Sequence, residues 1–359
     1  MNQSNPENNL SATDKDIEQA VDLQSGKQSM AGFDEEFTDI VDYILRITDY
    51  IWKEKNIGSI ARYYAPDSVI HTLGGPVHGS ETVINNTIQT LAAFPDRRLL
   101  AENVIWGGND KEGFYTSHRI ISPDMTNLGH SEFGPPTGKQ ATVRTLVDCL
   151  VKDNQVYEEW LMRDNMGLVQ QLGFDPHAVA QQLAEVNRDN TLLHSWLGSE
   201  IDRLRSITID TQTCLLPKPS DALNEFIENV FSNIWQQQDL STIETVYAPD
   251  CQFHGPARRE LHGHKELNNY VVEILNTLSN IKISIDHIYS IPYRDGDLDV
   301  AIRWTLTGLH DKEGIYGALS HKDLLILGCT HWRLIEDKIA EEWTVFAELV
   351  VLRQVYTKI

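Results

Sequence analysis

The chain has 359 residues, with 52 Asp and Glu against 30 Lys and Arg, for a net charge of −22. That length suffices for two or three domains with their own cores, and that charge argues against a phosphate-tracking surface, so nucleic acid is not an expected partner. No apolar run approaches the roughly 20 residues of a membrane span. The apolar content of 41% describes a soluble globular protein. The cysteines, Cys149, Cys214, Cys251 and Cys329, form neither a CxxC pair nor a disulfide framework, which points to a reducing compartment.

Residues 1–32 are rich in Asn, Gln, Ser, Asp and Glu and lack the basic start and apolar core of a signal peptide, so they read as a disordered tail on a cytoplasmic protein. From Phe33 an apolar stripe of Phe37, Ile40, Val41, Ile44, Ile51 and Trp52 predicts a helix. A shorter helix from Ile57 to Tyr64 is stopped by Ala65-Pro66-Asp67. Ser68 to Thr72 reads as a short strand, Gly74-Gly75-Pro76 as a turn, and Ser80 to Phe94 as an amphipathic helix. Strands are expected over Leu99–Trp106, Gly113–Ser122, Gln140–Val151 and Gln155–Asp164. Helices followed by antiparallel strands specify an α+β domain.

The order then returns. Trp52 and Trp235, Tyr64 and Tyr247, His71 and His254, and Glu158 and Glu341 share one spacing (235 − 52 = 183). Coincident landmarks at one spacing mark a tandem repeat of whole domains. The expected organisation is a first domain over 33–173, a helical linker over 174–219 ending at Pro217-Lys218-Pro219, and a second domain over 220–359. The linker helices could strap one domain to the other or cover a dimer face.

Each repeat carries Tyr-Ala-Pro-Asp, a His-containing short strand, a third helix and a terminal hairpin, and this order resembles the nuclear transport factor 2-like superfamily. Within it, Gly134-Pro135-Pro136-Thr137-Gly138-Lys139, Glu158-Glu159-Trp160 and Leu168 to Gly173 are similar to the SnoaL-like polyketide cyclases, or ester cyclases. The resemblance implies two tandem cone-shaped α+β barrels, each a curved antiparallel sheet wrapped around a pocket and closed by helices. Its relatives include cyclases, a ketosteroid isomerase, dehydratases, hydrolases and non-catalytic binders. The sequence departs from the cyclases where they place a catalytic Asp: Leu161 stands there in the first repeat and Thr344 in the second.

Alternation along the hairpins puts Asp148, Glu158 and Trp160 on one face, and His331, Glu341 and Trp343 on the matching face of the second repeat. We take these as the inward faces, with Glu159 and Glu342 as the alternative pair. On that reading His71 or His254 is the base, Asp148 or His331 the acid or oxyanion donor, and Glu158 or Glu341 the orienter or second base. Trp52, Trp160, Trp235, Trp343, Tyr64, Tyr247 and Arg303 are candidate substrate contacts, against core packing for the Trp and Tyr residues and a structural ion pair for Arg303. The second repeat, which combines His254, His331 and Glu341, is the favoured one. His262-Gly263-His264 is the nearest approach to a metal motif and alone is weak, so neither metal nor cofactor is expected.

The function expected is cofactor-independent acid/base proton transfer, of isomerase, dehydratase, cyclase or hydrolase type, on a small partly apolar metabolite. The alternative is a non-catalytic small-molecule-binding or dimerisation protein of the same fold. The expected partners are a small-molecule ligand and, for the sheet faces, a second copy in a homodimer or the other repeat in an intramolecular pseudo-dimer; nucleic acid and membrane are not expected.

Overall fold

A computed structural model describes residues 28–207, 219–294 and 296–357. The tail expected over 1–27 and the Pro217-Lys218 part of the linker lie outside the described residues. Residues 28–32, also assigned to the tail, are held in place: the Gln28 side-chain carbonyl accepts from the Ile40 N–H at 2.7 Å, and Ser29 and the Ala31 N–H bond to Asp110.

The first repeat runs α1 (Ile40–Trp52), α2 (Ile60–Tyr63), β1 (Tyr64–His71), β2 (Val77–His78), α3 (Ser80–Ala93), β3 (Leu100–Asn109), β4 (Gly113–Thr126), β5 (Gln140–Lys152), β6 (Gln155–Arg163) and α4 (Asn165–Leu172). Helices α5 (Pro176–Val186) and α6 (Thr191–Ser206) follow. The second repeat runs α7 (Asp221–Phe231), α8 (Ser241–Val246), β7 (Tyr247–Gly255), β8 (Arg259–His262), α9 (Gly263–Leu275), β9 (Ser279–Pro292), β10 (Leu298–Leu309), β11 (Asp323–Ile335), β12 (Lys338–Phe346) and α10 (Glu348–Tyr356).

Helix starts follow the sequence: Asp39 caps α1 through the Asp42 N–H, and Ser220 caps α7 through the Leu223 N–H. Tyr-Ala-Pro-Asp follows the helix end as expected, and in both repeats it opens a strand, β1 and β7. Pro66 is accommodated because the register of β1 against β6 shifts between Tyr64 and Val69, where no ladder hydrogen bond is required of it.

Each repeat forms one six-stranded sheet, ordered β2-β1-β6-β5-β4-β3 and β8-β7-β12-β11-β10-β9. The sheets are mixed rather than purely antiparallel, because β1 runs parallel to β6 and β7 parallel to β12. Both remain open cones with free edges; neither closes into a barrel.

The sheets pack back to back within the one chain. Arg119 of β4 lies over the Trp343 ring of β12 at 3.5 Å, and Arg303 of β10 lies over the Trp160 ring of β6 at 3.4 Å. This reciprocal crossing is the signature of a pseudo-two-fold pairing. Between the crossings, Ile105, Tyr289 and Ala301 form one apolar cluster and Leu146, Met162, Cys329 and Val345 another. Asp164, at the end of β6, caps α4 through the Gly167 N–H and also accepts the Ala257 and Arg258 N–H groups at 2.8 and 3.1 Å, latching the repeats together. Helix α5 packs on α10, where His177 Nδ1 lies 2.7 Å from the Tyr356 hydroxyl.

Candidate active site

Strand pairing fixes which side chains share the concave face. In the first repeat three rows cross the sheet: Glu159, Cys149 and Thr116; Leu161, Val147 and His118; Arg163, Thr145 and Ile120. Under them opens a cavity of about 730 Å³, within the range of small-molecule sites. Trp52 and Ile44 of α1, Thr87 and Thr90 of α3, the loop residues His130 to Phe133, and Leu349 and Arg353 of α10 enclose it. Helix α10 belongs to the second repeat, so the first cone is completed by the other half of the chain.

Glu159 is 8% exposed, and Tyr64 donates its hydroxyl to Glu159 Oε2 at 2.6 Å. Burial pushes the Glu159 carboxyl above the ordinary range, while the Tyr64 hydrogen bond and the Arg163 charge oppose that shift in part. The phenol of Tyr64 is itself raised far up by burial and by Glu159, so it stays a donor. His118 is pushed down to about 3 by burial and is therefore neutral at physiological pH. Among the described residues, four buried polar atoms of this lining have no hydrogen-bond partner: His118 Nε2, Thr145 Oγ1, Arg163 Nε and Asn165 Oδ1. Unpaired buried groups are costly: acceptor oxygens would satisfy His118, Thr145 and Arg163, and a donor such as a hydroxyl would satisfy Asn165 Oδ1. Cys149, whose thiol is held far above its ordinary range by burial, is not an activated nucleophile.

The second cone is filled. The same three rows read Glu342, Trp332 and Val300; Thr344, Thr330 and Ile302; Phe346, Gly328 and Trp304. Only about 50 Å³ remains. Phe231 stacks on Trp332 with centroids 5.5 Å apart, and Gly328 leaves the room that the Trp304 ring occupies, since a Cβ there would meet it at 2.1 Å. Glu342 is satisfied internally by the Tyr247 hydroxyl at 2.6 Å, Trp332 Nε1 at 2.9 Å and the Thr344 hydroxyl at 2.6 Å.

These positions revise the expected site. The shared faces of Asp148, Glu158 and Trp160 and of His331, Glu341 and Trp343 are as the alternation predicts, but both point to the opposite sheet and away from the cones. Ser117 donates to Asp148, His331 Nε2 lies 2.8 Å from the Ser117 hydroxyl, and both Asp148 and His331 are buried between the sheets. His71 stacks on Trp160 and meets Glu158 at 3.3 Å, and His254 stacks on Trp343 and meets Glu341 at 3.1 Å. Arg303 lies in the same interface. Of the residues singled out, Trp52 and Tyr64 line the first cavity and Trp235 and Tyr247 the second. Glu159 and Glu342, the alternative pair, are the carboxylates that face inward. Arg163, Thr145 and Arg353 were not singled out; the contrast of Arg163 with Phe346, at the repeat spacing, is the signal that marks the first of them.

Among the described residues, no group of three or more His, Cys, Asp and Glu side chains is placed to hold a metal ion, and His264 of the His-Gly-His segment bonds the Tyr247 carbonyl at 3.0 Å. Among the described residues, no helix is long and apolar enough to cross a membrane.

The family model of the SnoaL-like polyketide cyclases matches residues 42–172 and 226–355. The chain belongs to that family, twice over. Solved structures to which one SnoaL-like unit of it is similar include IdmH from Streptomyces antibioticus (24% identity, covering 37% of this chain and 97% of that one, TM-score 0.33), AclR from Streptomyces galilaeus (20%, 36% and 92%, 0.30) and a SnoaL-like polyketide cyclase from Agrobacterium tumefaciens strain C58 (17%, 37% and 96%, 0.32). Among curated proteins, none matches its sequence. In this chain two SnoaL-like cones stand back to back, one hollow and one packed.

Proposed function

We propose that the first repeat is a cofactor-independent acid–base enzyme acting on a small, partly apolar carbonyl compound, and that the second repeat is its structural partner. The observation that carries this reading is the buried Glu159 carboxyl, oriented by Tyr64, in a cavity of about 730 Å³ that also holds the unpartnered His118 Nε2. Ionised Glu159 takes a proton from the carbon next to the carbonyl, and the electron pair of the broken C–H bond moves onto the carbonyl oxygen as an enolate. Neutral His118, with its ring proton on Nε2, donates a hydrogen bond to that oxygen. Protonated Glu159 then returns the proton to carbon, at the same or a conjugated position. Their backbones are two strands and two residues apart, roughly 12 Å at ordinary sheet spacings, so the substrate lies between them along the floor of the cone. Desolvation brings the carboxyl closer in basicity to the proton it removes than an exposed Glu would be.

Leu161, standing where the cyclases have Asp, supports the second reading, a ligand-binding protein without chemistry. The two are separated by incubating enolisable ketones and 1,3-dicarbonyl compounds with the protein in D2O and following deuterium uptake at carbon by NMR. The enzyme reading expects catalysed exchange that falls by about 10²–10⁴-fold in Glu159→Gln. Binding without exchange supports the second reading.

A further inference from the structure

Three arginines line the first cavity: Arg97 from the segment before β3, Arg163 at the end of β6, and Arg353 from α10 of the second repeat. Arg97 and Arg353 are only 3% and 5% exposed. Their hydrogen bonds go to neutral acceptors, the Ser122 hydroxyl at 3.3 Å and the Leu73 carbonyl at 3.4 Å, and Arg97 stacks on Trp52 at 4.4 Å. Among the described residues, Arg163 Nε has no hydrogen-bond partner. Arg163 and Arg353 line the cavity together with Glu132 of the loop over it, and both are close enough to act on that carboxyl, which burial itself raises. Two carboxyls, Glu132 and Glu159, act on Arg163, and burial holds both above their ordinary range, so they offset part but not all of the charge of the three arginines. A chain of net charge −22 thus keeps a cationic chamber inside one cone. Phe346 stands in place of Arg163 in the packed cone, where no such chamber is needed.

We propose that the first cone binds a carboxylate-bearing substrate, its anionic group held by Arg163 and Arg353 while its apolar body lies along α1 and the sheet. The guanidinium forks suit a planar carboxylate, and excluding water from them strengthens the pairing. The second repeat thereby supplies a binding residue to the first. This inference rests on the reading that the first cone is the working one, but not on the proton transfer assigned to Glu159.

The test is calorimetric titration of the full chain at neutral pH with a panel of aryl-alkyl carboxylic acids, 4-phenylbutyrate among them, each beside its methyl ester. Nonspecific electrostatics on so acidic a chain favour the neutral ester, so a preference for the acid reports the cavity. At least one acid should bind about tenfold or more tighter than its ester, and Arg163→Gln and Arg353→Gln should each weaken that acid by about tenfold while leaving the ester unchanged. Glu159→Gln should keep the acid preference, even where it abolishes deuterium exchange. If no acid in the panel outbinds its ester, or if the preference survives in both arginine variants, the proposal is overturned. The wild-type comparison of acid with ester decides the matter even if a variant fails to fold.

Discussion

The two cones of this chain share a strand order, an inward Glu and a Tyr that donates to it at 2.6 Å, yet one is hollow and the other solid. Three exchanges account for the difference: Cys149 against Trp332, Ile120 against Trp304, and Arg163 against Phe346. In the second repeat the inserted rings fill the chamber and Trp332 joins Tyr247 and Thr344 in donating to Glu342, so both carboxyl oxygens are bonded within the protein. In the first, small side chains leave the carboxyl facing space beside unpaired polar atoms. The duplicated fold thus has one unit whose concave side is packed solid and one whose concave side is left open. The packed unit contributes the back-to-back partner sheet and the α10 lid.

That contrast can be broken by exchanging its parts. The largest effect is expected for Cys149→Trp, which places the second repeat's ring in the first cone. Ligand binding and deuterium exchange should fall by at least about 100-fold, with the far-UV circular dichroism unchanged because the chamber has room for the ring. Trp332→Ala, the reverse operation, should lower stability by about 3–5 kcal/mol in urea titration, through a new cavity and a Glu342 deprived of one donor. It should leave the first cone's ligand affinity untouched.

Smaller effects sharpen the picture. His118 is held down to about 3 by burial, below its unfolded value. Its contribution to stability is present above about pH 6.5 and is lost as pH falls toward 3, because the unfolded chain takes up the proton first. Between pH 7 and pH 5 this amounts to about 2 kcal/mol, and His118→Asn should flatten the urea midpoint over that interval by the same amount. An effect of similar size is expected for Ser117→Ala, which deprives Asp148 and His331 of their shared partner between the sheets; about 1–3 kcal/mol of stability should go, with turnover intact.

Much of the fold was legible because both copies carry the same landmarks at one spacing, and no local propensity had to be trusted alone. Alternation also grouped Asp148 with Trp160 and His331 with Trp343 correctly, as their direct pairing across β5·β6 and β11·β12 shows. Which face turns inward was not legible. In an ordinary half-exposed sheet the polar face would be the outer one, but here the convex faces are buried against each other, and β10 is buried at every position from Leu298 to Gly308. Acids and histidines at Asp148, His331, His71 and His254 thus resemble pocket residues while serving the interface between the sheets. The contribution of Arg353 was out of reach for a different reason, since it depends on how the end of the second repeat packs over the first. The exchange of Cys149 for Trp332, by contrast, could be read from the repeats side by side.

The central claim, that one inward carboxylate works and its twin only packs, is tested most directly by deuterium exchange at carbon in matched variants. Glu159→Gln should abolish exchange by about 10²–10⁴-fold, and Glu342→Gln should leave it unchanged while shifting only the unfolding midpoint. Equal losses in the two variants, or exchange that persists in Glu159→Gln and vanishes in Glu342→Gln, would contradict the account.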